Sequence, residues 1–324
     1  MIEESFTWQI IKCALKAPSG HNTQPWKFKI DENSISILPD FTRALSVVDN
    51  DNHSLYISLG CALENMLIAA SHYNYGTKVE MINNGNNVII RINLNENAKV
   101  TKTDLFDLIG KRQVTRNEYS IRKVPKEDLD ELFENISNEW VKVKLFQSET
   151  EIEHLSHYII EGVNLQFNNK SYLNELIDWI RFSEKEAMQK GDGLWTASMG
   201  FPDLGRFAGS LLMKNFITAK SETKRWEKLI HNSAGFALFM VEKNDTEHWI
   251  KLGQAFQRFG LKSTRMNLRH SHANMPCEES FVREKLVHEY QLNNLVPLLL
   301  IRFGYSTHLP YSYRRDINDV IIKE

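Results

Sequence analysis

Cysteine is scarce in this chain. Its 324 residues hold three, Cys13, Cys61 and Cys277, far apart and with no Cys-x-x-Cys pair. That pattern argues against a disulfide framework and for reduced structural thiols, as suits a cytoplasmic setting. An excess of one charge is also missing: 39 lysines and arginines stand against 41 aspartates and glutamates, a net charge of −2. Nothing global therefore attracts nucleic acid or an anionic membrane. The most apolar windows, Leu295 to Ile301 and Gly235 to Val241, are far shorter than the roughly 20 residues that span a bilayer as a helix. The opening MIEESFTW carries acids where a secretion signal has basic residues and then an apolar run. No Gly-x-Gly-x-x-Gly opens a βαβ unit, which disfavours a Rossmann site. His270, His272, Cys277, Glu278 and Glu279 lie close in sequence but match no standard zinc spacing, so a polar loop without metal is expected. What remains is an ordinary globular composition, 42% hydrophobic and 25% charged, long enough for one large core or two moderate ones.

The periodicities predict a mixed chain. Residues 5 to 16 place Phe6, Ile10, Ile11 and Leu15 at helical spacing. Trp26 to Ile30 and Ser34 to Leu38 read as strands joined by Asp31-Glu32-Asn33. Asp51 to Tyr75 reads as a long helix. Lys78 to Ile82 and Asn87 to Asn93 follow as a second strand pair around the turn Asn83-Asn84-Gly85-Asn86, and a polar stretch runs from Asn95 to Lys102. Tyr172 to Phe182 forms an amphipathic run expected to pack on the core, and Lys220 to Lys228 a solvated helical face. An internal repeat is also present. Ile57, Leu59, Gly60, Ala62 and Glu64 align with Ile250, Leu252, Gly253, Ala255 and Gln257 at an offset of 193, which also sets Asn74 against Asn267. Helical periodicity accounts for the apolar matches. It does not account for paired glycines inside helices, where each costs about 1 kcal/mol against alanine. A small residue there permits close packing, so two homologous halves are expected.

The most specific segment is Ala17-Pro18-Ser19-Gly20-His21-Asn22-Thr23-Gln24-Pro25-Trp26. Pro18 and Pro25 restrict the backbone, and Gly20 lets it pass close to a partner. Ser19, His21, Asn22 and Gln24 supply short polar side chains, and Trp26 can anchor the exit in the core. These residues suit a rigid loop offering backbone groups to a flat ligand; a proline-bounded connection without a ligand is the alternative. The segment resembles the Ser-x-x-Asn-x-Gln-Pro-Trp loop of the FMN-dependent nitroreductase superfamily. Its longer wording, APSGHNTQPW, resembles the Acg-like branch, whose members look like a nitroreductase dimer fused into one chain. Leu105 to Arg116 is similar to the Ile-x-x-Arg-Arg-Ser-x-Arg opening of nitroreductases, and Val124-Pro125-Lys126-Glu127-Asp128-Leu129 to the helix start behind it. Pro125 with acids just behind it is a helix N-terminus on physical grounds alone. Arg302-Phe303-Gly304-Tyr305, Pro310 and Arg314-Arg315 are similar to the closing strand and basic tail. The resemblance is patchy between about residues 140 and 230.

The resemblance implies an α+β, nitroreductase-like fold of two fused pseudo-symmetric halves, residues 1–98 and 99–324, forming a single-chain pseudo-dimer. The loop occurs only in the first half and the arginine opening only in the second, so one FMN site per chain is implied. Its contacts would be Pro18, Ser19, Gly20, His21, Asn22 and Gln24 from the loop, Arg112, Thr115 and Arg116 from the opening, and Arg314 and Arg315 from the tail. Guanidinium forks suit a phosphate, although each arginine alone would be a solvated surface charge, and His21 can equally be an exposed loop histidine. Arg112 and Arg116 share a side if their segment is helical or turning. No catalytic side chain is expected, because the flavin carries the electrons. The implied activity is hydride transfer from NAD(P)H through FMN to a small nitro or quinone acceptor. Residues 183 to 208 combine glycines, Pro202 and large apolar side chains; they form either a lid over the flavin or a surface connection packed by Trp195 and Phe201. A closed lid gives the competing reading, a catalytically weak flavin-binding or storage protein. A structural dimerisation domain would require the motif matches to be coincidental. A chain whose ancestral interface is satisfied internally is expected to be monomeric or a weak homo-oligomer.

Overall fold

Local sequence dictates most elements of the structure, a computed structural model that describes residues 6–85, 87–96 and 98–322. In chain order they are α1 (Phe6–Ala14), β1 (Trp26–Asp31), β2 (Ser34–Pro39), α2 (His53–His72), β3 (Gly76–Asn84), β4 (Asn87–Asn95) and α3 (Lys126–Phe133). There follow β5 (Val141–Phe146), α4 (Glu149–Asn168), α5 (Lys170–Trp179), β6 (Ile180–Arg181), α6 (Glu184–Lys190), β7 (Leu194–Trp195), α7 (Arg206–Phe216) and α8 (Ala219–His231). The chain closes with β8 (Gly235–Val241), α9 (Thr246–Arg265), β9 (Leu268–His272), α10 (Met275–Glu278), α11 (Ser280–Glu289) and β10 (Val296–Tyr305). Ser5 of the expected first helix, Asn86 of the expected turn and Asn97 of the polar stretch lie outside the described residues.

The chain folds into two compact units. The first comprises the described residues of Met1–Arg112, Asp245–Lys262 and Arg314–Glu324; the second comprises Gln113–Asn244 and Ser263–Tyr313. The halves 1–98 and 99–324 follow chain order, whereas the units do not: residues 99–112, most of α9 and the C-terminal tail pack with the first.

In the first unit β1 and β2 form an antiparallel hairpin, with Trp26 opposite Pro39 and Asp31 opposite Ser34. The sheet order is β1-β2-β4-β3, antiparallel throughout. α2 is long and apolar enough to cross a membrane, with a mean hydropathy of 1.3. Short apolar windows miss it because Ser58, Gly60, Glu64 and Asn65 interrupt the pattern. It is a core helix here, 83% of that window being buried. α2 meets α9 at the repeated glycines. A Cβ on Gly60 would sit 2.1 Å from the Ile250 carbonyl oxygen, and one on Gly253 would sit 2.1 Å from that of Ile57. Since 250 and 253 are 57 and 60 shifted by 193, the contact is reciprocal, as at a twofold interface. Hydrogen bonds from Cys61 Sγ to the Gly253 carbonyl, Gln254 to Glu64 and Gln257 to Asn65 lace the crossing.

The second unit holds the sheet β5-β8-β10-β9, again antiparallel throughout. Its strand order repeats that of the first sheet: in each, the third and fourth strands of the chain follow the long helix, and the fourth lies between the second and third. The turns behind α2 and α9 match as well. Asn74 (φ 68°) and Asn267 (φ 57°) both adopt the left-handed conformation, and their N–H groups donate to the carbonyls of Ser71 and Thr264. The second sheet differs by an insertion, α4 to α8, between its first two strands. Phe146, Ile159, Phe236 and Leu300 form the centre of its core, and a capping box of Ser148 and Glu151 starts α4.

One local expectation needs correction. Residues 268–278 are not a polar loop: they form β9, held by pairing with β10, and α10. The segment leading to Arg112 and Arg116 turns without forming an α-helix. A short 3-10 turn over Phe106–Leu108 gives way to an isolated bridge between Val114 and His270.

Candidate functional site

The loop after α1 is rigid because its backbone is overdetermined. His21, Asn22 and Gln24 all have positive φ, 45°, 56° and 53°, a region that side chains other than glycine enter at a cost. Three bonds hold them there: the Asn22 N–H donates to the Ser19 carbonyl at 3.0 Å, the Thr23 N–H to the Gly20 carbonyl at 2.9 Å, and the Gln24 N–H to Ser19 Oγ at 2.9 Å. A Cβ on Gly20 would press on Leu45 Cδ1 at 3.0 Å. Pro18 and Trp26 are buried, Trp26 completely, and Ser19, Gly20 and His21 are half-buried.

The C-terminal tail returns to this loop. Phe28 N–H donates to the Val320 carbonyl and Ile322 N–H to that of Phe28, each at 2.8 Å, so the tail runs parallel beside β1. The two tail arginines then differ in role. Arg315 braces the chain: its N–H donates to Gln24 Oε1 at 2.9 Å, and its guanidinium to the carbonyls of Gln24 (3.0 Å) and Asp319 (3.0 Å). Gln24, fully buried, is the other half of that brace. Arg314 instead donates to Asn22 Oδ1 at 2.9 Å, and Arg112, buried, donates to the Lys16 carbonyl at 3.2 Å.

These residues make a cationic cluster. Burial, and then the charge of Arg112, push the Arg314 guanidinium down to about 9. Burial, and then Arg314, lower the Lys16 ammonium. Like charges gathered against their own repulsion and desolvation create a field that an anion relieves. Lys16 escaped the sequence reading, although its position directly before the loop was a usable signal.

Thr115 and Arg116 lie in the second unit. The Thr115 N–H donates to the His270 carbonyl at 3.0 Å, and its hydroxyl donates to Gln113 Oε1 at 3.1 Å. Half-buried Arg116 has Tyr119, Arg225 and Arg302 as electrostatic neighbours, and burial chiefly lowers it to about 10. Arg302, fully buried, stacks 4.0 Å above the Tyr119 ring and donates to the Asn117 carbonyl at 2.8 Å. A lone charge inside the apolar run of β10 was its signal in the sequence.

Segment 183–208 is built as structure. β6 and β7 pair in parallel, a buried ion pair joins Arg181 to Asp192 at 2.7 Å, and Trp195 Nε1 and Thr196 Oγ1 both donate to Asp203. Trp195 is buried, as expected for a packed connection, whereas Phe201 is exposed. Asp49, Asp51 and His53 are the group with metal-ligand proximity among the described residues. The Asp49 carboxylate accepts the Ser54 and Leu55 N–H groups, both at 2.9 Å, which caps α2.

No protein-family model matches the chain. It is 22% identical to the Mycobacterium tuberculosis protein named "Putative NAD(P)H nitroreductase Rv3131", over 96% of this chain and 90% of that one. It is 26% identical to "Putative NAD(P)H nitroreductase acg" of the same organism over 76 residues, 24% of this chain and 23% of the other. A solved structure from Anabaena variabilis, described as a putative nitroreductase, superposes with a TM-score of 0.52 at 10% identity, covering 85% of this chain and 69% of that one. The chain has the nitroreductase-like fold and is related in sequence to the nitroreductase superfamily, proteins named for Acg included.

Proposed function

We propose that this chain is a single-chain pseudo-dimer that binds one FMN and acts as an oxidoreductase, taking hydride from NAD(P)H and reducing a small nitro or quinone acceptor. The observation that carries the reading is the cluster of Lys16, Arg112 and Arg314, in which Arg314 also holds Asn22, beside a loop whose left-handed residues fix its backbone. The cluster fits the FMN phosphate, whose charge of about −2 is best met by guanidinium donors. Arg112 and Arg314 would hold the phosphate, Asn22 would orient Arg314, and the loop backbone from Pro18 to Asn22 would line the ribityl chain and ring. Ser19 and Gln24 act behind them, Ser19 by fixing the turn and Gln24 by tying in the tail. When bound, FMN supplies hydride acceptance at N5 and the relay of electrons.

The test is titration of FMN into the flavin-free protein, followed by its fluorescence. Arg112→Ala and Arg314→Ala each remove a charge-assisted contact of about 1.5–3 kcal/mol, so affinity falls roughly 10- to 150-fold. Wild-type affinity in both variants would refute the clamp. A second reading, flavin storage, is favoured by the firm packing of residues 191–198. An anaerobic absorbance spectrum separates the two: prompt bleaching with NAD(P)H marks a reductase, and a persistent flavin band marks storage.

A further inference from the structure

Residues 314–322 lie along the outer edge of β1, whose other edge pairs with β2. A short turn over Ile317–Asp319 shapes this strap locally, capped by Asp316, whose side chain accepts the Asn318 N–H at 2.9 Å. Few contacts hold it on the strand. Two backbone hydrogen bonds join it to Phe28, and Lys27 Nζ donates to the Asp319 carbonyl at 2.7 Å. Arg315 ties it to Gln24, with the Asp40 carboxylate 3.8 Å from its guanidinium. The buried apolar side chains of the strap are Ile317 and Val320. A segment with so little buried apolar surface belongs to the low-stability end of a fold. Charge opposes its docking as well. The docked strap brings Arg314 to Asn22 and into the field of Arg112 and Lys16, both cations. Lifting the strap would carry Arg314 away and relieve that repulsion.

An anion reverses the sign of that effect. A phosphate seated among the three cations attracts Arg314, so it favours the docked strap over the lifted one. We propose that the C-terminal strap is linked to anion binding. A phosphate group at Lys16, Arg112 and Arg314 holds residues 314–322 on β1, and the docked strap in turn raises the affinity for that phosphate. The phosphate is that of FMN, so the inference rests on the reading of the site given above. Linkage makes the two effects one quantity: whatever factor FMN adds to closure of the strap, closure adds to FMN affinity. Couplings of this kind amount to about 5- to 150-fold.

The test is hydrogen exchange of the full-length, flavin-free protein with and without saturating FMN, read on peptides covering β1 and residues 314–322. The Phe28 and Ile322 amides, which bridge strand and strap, should exchange about 5- to 150-fold more slowly with FMN. Inorganic phosphate should act in the same direction, whereas riboflavin, which lacks the phosphate, should not. Val320→Asp lifts the strap without altering the three cations and should weaken FMN binding by the same factor; the milder Ile317→Ala should do so to a smaller extent. Arg314→Gln keeps a donor for Asn22 and removes the repulsion. Its strap should be at least as protected as that of the wild type without FMN, and should respond less to FMN. A strap that loosens in flavin-free Arg314→Gln marks a plain structural contact and overturns the proposal. Riboflavin that protects as strongly as FMN overturns it too. So does FMN that binds, by its own fluorescence, while exchange of the strap stays unchanged; the reading of the site then stands. A protein that binds no FMN refutes that reading, and the linkage with it.

Discussion

Replacing Gly253 with alanine tests the architecture at its tightest point. Helix propensity alone predicts a gain of about 1 kcal/mol. The crossing predicts the reverse. The added methyl would stand 2.1 Å from the Ile57 carbonyl oxygen and 2.9 Å from the Gly60 Cα. An unstrained carbon–oxygen contact is about 3.3 Å, so α2 and α9 must part by about 1.2 Å. The obstacles are backbone atoms, with no flexible side-chain end to swing aside. Overpacking costs about 1–3 kcal/mol, and this site belongs at the upper end. Separation would also stretch the 2.6 Å bond from Gln257 to Asn65. The net expectation is a loss of about 2 kcal/mol, or roughly 4–8 °C in Tm by the scaling for large domains.

Reciprocity sharpens the test. Gly60→Ala meets the equivalent Ile250 carbonyl at 2.1 Å, so it should cost about as much. The double variant should cost less than the sum, because one displacement of the helices accommodates both methyl groups. A coupling of about 1 kcal/mol or more is expected for residues that share a contact. Thermal and urea melts of the wild type, both single variants and the double variant measure it. Additive losses, or a rise in Tm for Gly253→Ala, would refute the reciprocal crossing.

Other substitutions probe charge and packing elsewhere. Burial holds the Glu64 carboxyl above its ordinary value, in spite of Arg258 and Gln254. Its contribution is therefore fully present below pH ~4.3 and is lost as pH rises through the folded-state value. Glu64→Gln should raise Tm relative to wild type at pH 8, by a margin that shrinks toward pH 5; a difference independent of pH would contradict this. Asp192→Ala strands Arg181 inside the second unit, where both side chains are less than a tenth exposed. It should cost about 3–5 kcal/mol and open residues 183–205 to protease, and a loss below 1 kcal/mol would show the pair to be dispensable.

Much of the fold was legible because it is local. Alternating apolar residues and Glu32-Asn33 specify the β1–β2 hairpin, and Pro125 with Glu127 and Asp128 specifies the start of α3. The Gly60–Gly253 pairing was legible because glycine inside a helix carries a cost that only close approach repays. Long-range pairing was not legible. The sequence Leu268-Arg-His-Ser-His272 has the look of a loop, and it becomes a strand because Ile301 to Tyr305 supply its partners. The loop motif did not reveal the division of labour among its residues. Gln24 and Arg315 resemble ligand contacts in one dimension, yet they brace one another in three. Segment 183–208 was legible as Gly-rich but not as structured, although Ser183 and the left-handed Gly191 already bracket α6.

The parts of the two halves that match are the parts that must fit each other. At the α2–α9 crossing Gly60 faces the backbone of Ile250 and Gly253 that of Ile57, so a larger residue in either copy would clash with the other. The matching strand orders and left-handed Asn turns carry each long helix into its sheet. No reciprocal constraint binds the connection between the first two strands, which is a tight turn in one sheet and the whole of α4 to α8 in the other. Nor does one bind the loop before β1, which holds the polar residues beside Arg112 and Arg314. One chain can therefore keep a symmetric scaffold while concentrating its cationic site in the unit that carries that loop. The exchange of α9 and the tail serves the same end, because it delivers Arg314 from the last residues of the chain to a loop that begins at residue 17.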